Sequence, residues 1–396
     1  MNNGTMENIK KEKKHSLPKG WEIKKLGEVC NKGSSNISQN KLINEKGIYP
    51  IFGASGFIKN ISFYHNDKPY LSIVKDGSGI GRVTKMDAYT SVTGTLQYIY
   101  PKEGIDLNYL YYSLLSIDFK KYATGAAIPH IYFKDYKNEP FLWMPLSEQR
   151  RIVSILDKCF SAIERSRNNA EQNLKNAKEI FESYLNKVFA SSTDTKTKHK
   201  NWEEKKLGEV AEIINGGTPK TSITEYWNGE IYWITPADLG KLTKPTVDDT
   251  SRKITKMGLE KSSAKLFPEN SVILSTRAPI GHLAINKVPM STNQGCRGIV
   301  PNQKLNTWFL YYFLKNNVKL LNSLGTGTTF KELSTRALAG ITIPLPPLVE
   351  QQTIVHKLDT LRIETQKLES IYQKKILLLE ELKKSILQKA FSGELN

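Results

Sequence analysis

The strongest constraint on the fold is that the chain repeats itself. Residues 20–29 (GWEIKKLGEV) match residues 201–210 (NWEEKKLGEV), and residues 146–158 (LSEQRRIVSILDK) match residues 348–360 (LVEQQTIVHKLDT). The offset between the copies rises from 181 to 202, which indicates extra residues near the front of the second copy, around 216–239. Ordered matches of this kind indicate a duplicated structural unit.

Each copy has a front part and a helical part. The front parts contain short alternating runs, such as Tyr70–Val74 and Ser271–Ser275, that are broken every few residues by turn-forming residues. This pattern predicts a mixed α/β domain in each copy. The helical parts have almost no Gly or Pro. The predicted divisions are a basic flexible tail (1–16), a first α/β domain (17–145), a first long helix (146–190), a linker (191–200), a second α/β domain (201–345) and a second long helix (346–396).

Apolar residues recur at alternating spacings of four and three along both helical parts, which is typical of a coiled coil. Two ordinary amphipathic helices packed on their own domains are the alternative. Asn173 and Lys375 fall on the same seam, either as buried polar residues that set the register or as solvated positions. The predicted seam is Ile152, Leu156, Cys159, Ile163, Ala170, Ala177, Ile180 and Tyr184 in the first helix, and Ile354, Leu358, Leu361, Leu368, Tyr372, Leu379, Leu382 and Ile386 in the second.

The short linker decides how the two helices run. A helix of about 40 residues is ~60 Å long, whereas the linker 191–200 reaches at most ~35 Å. The chain therefore cannot return along the first helix before the second domain begins, so the second helix must run back antiparallel to the first. The expected fold class is α+β, with two similar α/β domains separated by two long antiparallel helices that form a coiled coil, in a pseudo-twofold internal repeat.

The chain is strongly basic. Lys and Arg number 57 against 39 Asp and Glu, which gives a formal net charge of +18. The excess lies mainly in the two front parts and not in a tail, which predicts a polyanionic partner and favours a nucleic acid. Charge alone does not separate DNA from RNA or from an acidic protein, and charge for solubility is the alternative.

Nothing in the sequence favours export, a membrane or a metal site. The three cysteines, Cys30, Cys159 and Cys296, are far apart, so neither a disulfide framework nor a zinc site is expected. No apolar stretch follows the basic N-terminal residues as in a signal peptide, and no segment approaches the ~20 apolar residues that span a bilayer. We therefore expect a soluble chain in a reducing cytoplasm.

The residue patterns of familiar catalytic sites are missing from the sequence. The glycine-rich stretch from Gly325 to Lys331 has the wrong spacing for a phosphate-binding loop. There is no HExxH zinc motif, no GxSxG nucleophile elbow, no Asn/Asp-Pro-Pro-aromatic tetrapeptide of an amino-methyltransferase and no Pro-Asp nuclease pattern. With two matched halves, binding is favoured over catalysis.

Several segments resemble the specificity subunit of type I restriction-modification systems. GGTPK (216–220), IYWITPADL (231–239) and WEEKKLGEV (202–210) are similar to the opening of many target-recognition domains in that family. LPPLVEQ (345–351) and AFSGEL (390–395) resemble the start and the end of its helical regions. The motifs that carry the resemblance occur in the same order in both copies. Together they cover the chain from Trp21 onward.

The resemblance implies a recognition role inside a larger complex. It implies that this chain is not an enzyme and binds double-stranded DNA at a bipartite, asymmetric target, with one half-site per domain. The implied partners are two methyltransferase subunits and two restriction and translocation subunits, which would carry S-adenosylmethionine, ATP and magnesium, while this chain would hold no cofactor or metal. The first domain departs from the pattern, because it lacks GGTP and has KDGSGIGRV at 75–83.

We expect the DNA-contacting residues in the loops, where Lys and Arg hold phosphates and polar side chains read base edges. For each residue taken alone, a solvated loop position is the alternative. Arg277 and Arg297 are the strongest candidates, because Arg to guanine is the commonest specific contact. The candidates are Lys75, Ser78, Arg82, Lys85, Thr124, His130 and Lys134 in the first copy, and Lys220, Thr221, Arg277, His282, Asn293, Gln294, Arg297, Thr326, Thr328 and Lys331 in the second.

Two half-sites one helical turn apart, about ten base pairs between centres, would suit such a pair of readers. The long helices would then act as the spacer. Three other functions stay open: a self-contained DNA methyltransferase or nuclease with an unrecognised site, a scaffold that pairs partner subunits without reading DNA, and a specificity chain of a bipartite system outside type I.

Overall fold

The computed structural model forms two compact units. The first unit combines the described residues up to Glu171 with those from Gln373 onward, and the second unit is Gln172–Tyr372. The predicted tail (1–16) and linker (191–200) lie outside the described residues. The structure describes residues 17–190, 202–277, 279–327, 331–392 and 394. In these ranges no helix is long and apolar enough to cross a membrane.

The first copy folds into short strands and helices followed by one long helix. These elements are β1 Glu22–Lys25, α1 Leu26–Val29, β2 Cys30–Ser34, β3 Tyr49–Gly53, β4 Gly56–Ile61, β5 Tyr70–Val74, β6 Val83–Met86, β7 Ser91–Val92, β8 Leu96–Pro101, α2 Leu107–Leu115, α3 Phe133–Tyr136, β9 Pro140–Trp143 and α4 Leu146–Ala190, with 3-10 helices at Gln39–Leu42 and Phe119–Tyr122.

The centre of the first unit is an antiparallel four-stranded sheet in the order β2-β8-β5-β6. The inner strand β5 is buried along its whole length, because Leu71 and Ile73 pack in one core cluster and Tyr70 and Val74 pack in another. Helix α2 packs on this sheet and is capped at its N-terminus by Asp106, whose side chain accepts hydrogen bonds from the N–H groups of Asn108 and Tyr109. A smaller sheet, β4-β3-β7, and the pair β1-β9 lie beside it.

The second copy folds in the same order. Its elements are β10 Glu203–Lys206, α5 Leu207–Val210, β11 Ala211–Asn215, β12 Trp227–Ile234, α6 Pro236–Lys241, β13 Thr246–Val247, β14 Arg252–Ile254, α7 Lys256–Glu260, β15 Val272–Ser275, β16 Leu283–Asn286, β17 Met290–Thr292, β18 Cys296–Pro301, α8 Thr307–Asn316, α9 Val318–Leu324, α10 Thr335–Ala339, β19 Thr342–Leu345 and α11 Leu348–Ser392, with a 3-10 helix at Thr224–Tyr226.

The second unit repeats the plan of the first with one addition. Its central sheet has the order β11-β18-β15-β16-β13, and its smaller sheet is β14-β12-β17. The turn 54–55 joins β3 to β4, whereas residues 235–251 join their counterparts β12 and β14 and contain both α6 and the extra strand β13. Most of the extra residues therefore follow β12, which is later than the region 216–239 expected from the sequence.

Each domain is fastened to the start of its long helix by a buried glutamine. Gln149 Nε2 donates to the carbonyl oxygens of Gly104 (2.9 Å) and Met144 (2.8 Å), and Gln149 Oε1 accepts from the Asp106 N–H (2.8 Å). Gln351 makes the three corresponding bonds at the start of α11. Because these bonds satisfy buried backbone groups, they hold the helix in a defined direction on the domain.

The two long helices run antiparallel, as the sequence predicts. In the first unit, Ile152 near the start of α4 shares a core with Leu387 near the end of α11. In the second unit, Leu185 near the end of α4 shares a core with Leu358 near the start of α11. Each unit therefore contains the beginning of one helix packed with the end of the other.

The strict four-three seam is wrong at three positions. Ile180, Leu368 and Leu382 are 47%, 37% and 46% exposed, although the spacing places them inside. An α-helix has 3.6 residues per turn, so a strict 3.5-residue repeat drifts by ~20° per heptad across a straight helix. The buried face consequently moves to the neighbouring residue, which in α4 is Phe181.

The polar seam positions Asn173 and Lys375 are exposed, so they are solvated and do not set the register. The other seam predictions lie on the inner faces of the helices. Those buried are Ile152, Leu156, Ile163, Ala170, Ala177 and Leu358, and those half-buried are Cys159, Tyr184, Ile354, Leu361, Tyr372, Leu379 and Ile386.

Candidate nucleic-acid interface

Three loops meet at one end of the central sheet in the first unit. They follow β5, separate β7 from β8 and precede α3. Backbone hydrogen bonds join them: the Lys75 N–H donates to Thr95 O (3.0 Å), Ile131 N–H to Lys75 O (2.9 Å), and Gly77 N–H to Pro129 O (2.9 Å). We call these residues the first loop cluster: 75–82, 93–95 and 123–132.

An acid and a base pair across the first loop cluster. His130 Nδ1 lies 2.7 Å from Asp76 Oδ1, and the backbones of the two residues form a short antiparallel bridge. Thr124 pairs with His130 through two backbone hydrogen bonds of 2.9 and 2.7 Å. The loop before α3 is thereby attached to the end of β5 through both backbone and side chains.

The second unit has the same three loops. The Thr276 N–H donates to Gly295 O (2.8 Å), and Leu333 N–H donates to Thr276 O (2.9 Å). Thr326 and Glu332 pair through two backbone hydrogen bonds of 3.0 and 2.8 Å. We call these residues the second loop cluster: 276–277, 279–282, 293–295, 325–327 and 331–334.

A glycine at the same place closes the first loop of both clusters. Gly81 has φ +81°, and a Cβ atom there would lie 2.4 Å from Phe119 Cβ. Gly281 has φ +110°, and a Cβ atom there would lie 2.6 Å from Val318 Cγ1. Only glycine combines this backbone conformation with so close an approach, which explains why the Ile-Gly pair recurs in both copies.

The charges of the side-chain pair are inverted between the two clusters. Arg277 takes the place of Asp76, and Glu332 takes the place of His130, since each pair forms the corresponding backbone bridge. Arg277 Nη2 lies 2.9 Å from Glu332 Oε1. One backbone plan therefore presents an acid at the end of β5 and a base at the end of β15.

Both copies of the chain match the model of one known protein family. A model described as the type I restriction modification DNA specificity domain matches residues 18–172 and 199–378. The two matches span most of the chain and correspond to its two copies. The chain belongs to this family. Within type I systems this is the part that recognises DNA sequence, and it is not the catalytic part.

Named specificity subunits match parts or nearly all of the chain. The MjaIX specificity subunit of Methanocaldococcus jannaschii is 40% identical over 157 residues, which cover 39% of this chain and 36% of the relative. The EcoR124I/EcoR124II specificity subunit of Escherichia coli is 32% identical over 221 residues, 54% and 52% of the two chains. These alignments span about a third to a half of those relatives. The MjaVIII specificity subunit of M. jannaschii is 27% identical over 423 residues, 98% and 96% of the two chains.

Solved structures share the fold of this specificity chain. A chain from a study of complex assembly and conformational transition in the type I R-M system has a TM-score of 0.72 at 23% identity, and covers 96% of this chain and 100% of its own length. The HsdS subunit from Thermoanaerobacter tengcongensis has a TM-score of 0.63 at 22% identity, with 96% and 98% covered.

Arg297 is not available to read a base, which corrects one of the two strongest predictions. Its side chain is 9% exposed, and Nη1 donates to the carbonyl oxygens of Gln294 (2.8 Å) and Cys296 (3.1 Å). Nε donates to Thr335 Oγ1 (3.3 Å). Burial lowers the pKa of the Arg297 guanidinium, and Glu332 at 3.5 Å partly offsets this effect. Arg297 thus holds the second loop cluster in shape.

Most candidates from the first copy of this specificity chain come together. Arg82 Nη2 donates to Ala54 O at the tip of the β3–β4 hairpin, so this side chain connects the hairpin to the first loop cluster. Lys75 Nζ lies 4.0 Å from Asp76 Oδ2. The candidates in or directly after the cluster, exposed or half-buried, are Lys75, Ser78, Arg82, Thr124, His130 and Lys134.

The GGTP segment adjoins the second loop cluster. The Thr218 hydroxyl donates to Gln294 Oε1, and Asn293 Oδ1 accepts from the Gly295 N–H (3.0 Å), so the Asn293 side chain shapes the turn. Thr328 lies outside the described residues. The candidates in the cluster are Arg277, Asn293, Gln294, Thr326 and Lys331, and Lys220 and Thr221 are exposed on the adjoining segment.

Lys85 lies outside the first loop cluster, and His282, at the edge of the second, lines a neighbouring pocket, so the structure does not group these two side chains with the other candidates. Lys85 Nζ lies 4.7 Å from the ring centroid of Tyr111 on α2. His282 lines a pocket together with Tyr311 and Arg362. Both residues belong to, or directly precede, strands in which successive side chains face opposite sides, and this orientation cannot be read from their position in a loop-rich segment.

Sequence reasoning missed the acidic members of the clusters, Asp76 and Glu332. Cations and amides are the side chains expected to contact phosphates and bases, so the sequence expectation does not include carboxylates. Alignment of the two copies places Asp76 opposite Arg277 and His130 opposite Glu332. This exchange of an acidic and a basic residue at two equivalent positions is the sequence signal that predicts a contact between them.

The described cysteines carry no reactive or metal-binding arrangement. Burial raises the pKa of Cys30 to about 12 and also raises the pKa of Cys296. In the part of the chain that the structure describes, no group of three or more His, Cys, Asp or Glu side chains could hold a metal ion.

Proposed function

We propose that this chain reads a bipartite, asymmetric DNA target for a type I restriction-modification system, one half-site per unit. The observation that carries the proposal is that one arrangement of three loops occurs twice with different side chains. The shared backbone arrangement would let each unit bind DNA in the same way, and the different side chains would select two different half-sites. The likeness to named specificity subunits supports the same proposal.

In the second half-site we assign the leading contact to Arg277. Its side chain is 44% exposed and is directed by the ion pair with Glu332. Only part of its donor capacity is used, because a guanidinium has five N–H donors and the contact with Glu332 engages Nη2. An oriented guanidinium with remaining donors can bind the O6 and N7 atoms of guanine or a phosphate.

Catalysis would come from partner subunits that this chain positions. We expect two methyltransferase subunits and two restriction subunits, which would carry S-adenosylmethionine, ATP and magnesium. The half-site centres would lie about ten base pairs apart, one turn of the duplex. The missing catalytic motifs and the family membership support this division of roles.

A domain exchange tests the proposal. Residues 201–345 are replaced by the corresponding domain of another specificity subunit, and the modified motif is determined by methylation sequencing of a host that carries the complete system. We expect one half of the split motif to change. Exchange of residues 17–145 is the matched control and should change the other half. A change in both halves after either exchange would contradict the proposal.

A further inference from the structure

The second unit contains a pocket of about 280 Å³ with basic walls. It is formed by the end of α6 with the following loop, the start of β16, and the facing helices α8 and α11. None of the described residues that line it is acidic. The lining residues that carry or can carry positive charge are Lys244, His282, Lys315 and Arg362.

Lys315 is a half-buried cation without a close counterion. Its Nζ lies 5.5 Å from the ring centroid of Phe181, and no carboxylate of the described residues lies within 4.0 Å of it. Burial lowers its pKa, and Glu182 only partly counteracts this effect. Removal of an ammonium group from water is costly unless a partner compensates, so an anion in the pocket would relieve an existing cost.

Arg362 is held in the pocket wall by three side chains. Its Nη2 donates to Asp359 Oδ1 (3.3 Å), Nη1 to Gln366 Oε1 (3.4 Å) and Nε to the Tyr312 hydroxyl (3.3 Å). A guanidinium has five N–H donors, so two of its N–H groups have no partner among the described residues. The side chain is thus oriented before any ligand binds.

Two of the cations are replaced by apolar residues in the first unit. By the repeat, Leu115 stands in the place of Lys315, and Phe160 stands in the place of Arg362. The surrounding scaffold is the same in both units, because the Tyr112 hydroxyl donates to Asp157 and the Tyr312 hydroxyl donates to Asp359. The scaffold therefore does not require the two cations. Lys244 has no counterpart in the first copy, because it lies in the segment 235–251, where the first copy has only a tight turn.

We propose that this pocket binds a phosphate-class oxyanion. The proposal goes beyond the reading of DNA sequence, because His282 is the only described residue of the pocket lining that is also among the predicted DNA contacts. Lys315 and Arg362 supply charge from two helices, and Lys244 supplies charge from the inserted loop. The anion is either a small phosphate compound or a phosphate of the bound duplex, since both offer the same oxygen atoms.

The test uses the full chain and the variant Lys315→Met, which keeps an unbranched side chain but removes the charge. Lys319→Met is the matched control, because Lys319 is exposed on α9 and undergoes the same change of charge. Thermal unfolding is followed with inorganic phosphate, pyrophosphate or acetate at equal ionic strength. Affinity for duplex DNA is measured over a range of salt concentrations with the same proteins.

We expect phosphate and pyrophosphate to raise the melting temperature of the wild type and of Lys319→Met, with about tenfold weaker binding by Lys315→Met. If the ions have no effect but Lys315→Met lowers duplex affinity and reduces the salt slope by about one, the source is the DNA backbone. Equal behaviour of both variants, or equal protection by acetate, would overturn the proposal. The two proposals can fail separately. If phosphate protects the wild type but not Lys315→Met, and the wild type binds no DNA, this inference stands and the proposed function is wrong.

Discussion

The two loop clusters have the same backbone and opposite charge order. In the first cluster Asp76 at the end of β5 faces His130, and in the second Arg277 at the end of β15 faces Glu332. The backbone bridges that carry these pairs correspond one to one. In both clusters a contact between an acidic and a basic side chain accompanies the backbone bridge, while the order of the two residues differs and can set what each cluster offers to DNA.

Contacts that hold the scaffold did not diverge in this way. The Tyr112 hydroxyl donates to Asp157 in the first unit, and the Tyr312 hydroxyl donates to Asp359 in the second (2.6 Å). The buried glutamines at the helix starts make identical sets of bonds. Duplication thus retained the internal contacts, whose loss is costly, and changed the partly exposed ones.

The largest effect is expected from the buried glutamines. Gln149→Leu and Gln351→Leu should each lower the free energy of unfolding by about 3 kcal/mol, because buried backbone donors and acceptors lose their partners. Chemical denaturation of the full chain measures this loss. Gln352→Leu, at an exposed neighbouring position, should change stability by less than ~0.5 kcal/mol. A large loss in only one unit would break the equivalence of the two scaffolds.

A smaller loss of stability is expected when Glu332 loses its charge. Glu332→Gln should destabilise the second unit by about 2 kcal/mol, because Arg277 and the buried Arg297 then repel each other without a counterion. Thermal unfolding of this variant is compared with that of Glu212→Gln, an exposed residue on β11. Equal melting temperatures of the two variants would show that Glu332 does not organise the cluster.

Substitutions at the two equivalent strand ends should have opposite consequences for DNA. Arg277→Ala should weaken binding of the target duplex about tenfold, since a guanidinium that contacts base or phosphate is lost. Asp76→Ala should not weaken binding, because a carboxylate repels phosphates. Equilibrium binding with the assembled methyltransferase complex measures both. Lys85→Ala, outside the cluster and against the Tyr111 ring, serves as the control; a tenfold loss there would contradict the placement of the interface.

The smallest effect is expected from transfer of the second pair into the first unit. Asp76→Arg and His130→Glu should each reduce stability, whereas the double variant should recover about 0.5–1 kcal/mol of that loss, the coupling usual for partly exposed ion pairs. A double-mutant cycle in urea measures the coupling energy. If the stability losses of the two single variants simply add in the double variant, the exchanged pair does not form in the first unit.

The sequence alone determined the duplication, the α/β domains and the antiparallel helices. These features rest on ordered repeats, on local apolar spacing and on a linker too short to return along a long helix, all of which are properties of neighbouring residues. The sequence also indicated the loops in which we expect most DNA contacts, because segments with Gly, Thr, Lys and Arg between strands are visible in the chain.

Only the tertiary structure decided what individual side chains can do. Arg277 and Arg297 look alike in the sequence, yet one is partly exposed and the other is enclosed by carbonyl oxygens. The His282 ring lies beside Gly240 in a pocket wall, and Ile180 is exposed because the buried face of the helix has moved to Phe181. The physical reason is that burial and pairing depend on residues far away in the chain, such as Glu332, whose positions are set by packing and not by local pattern.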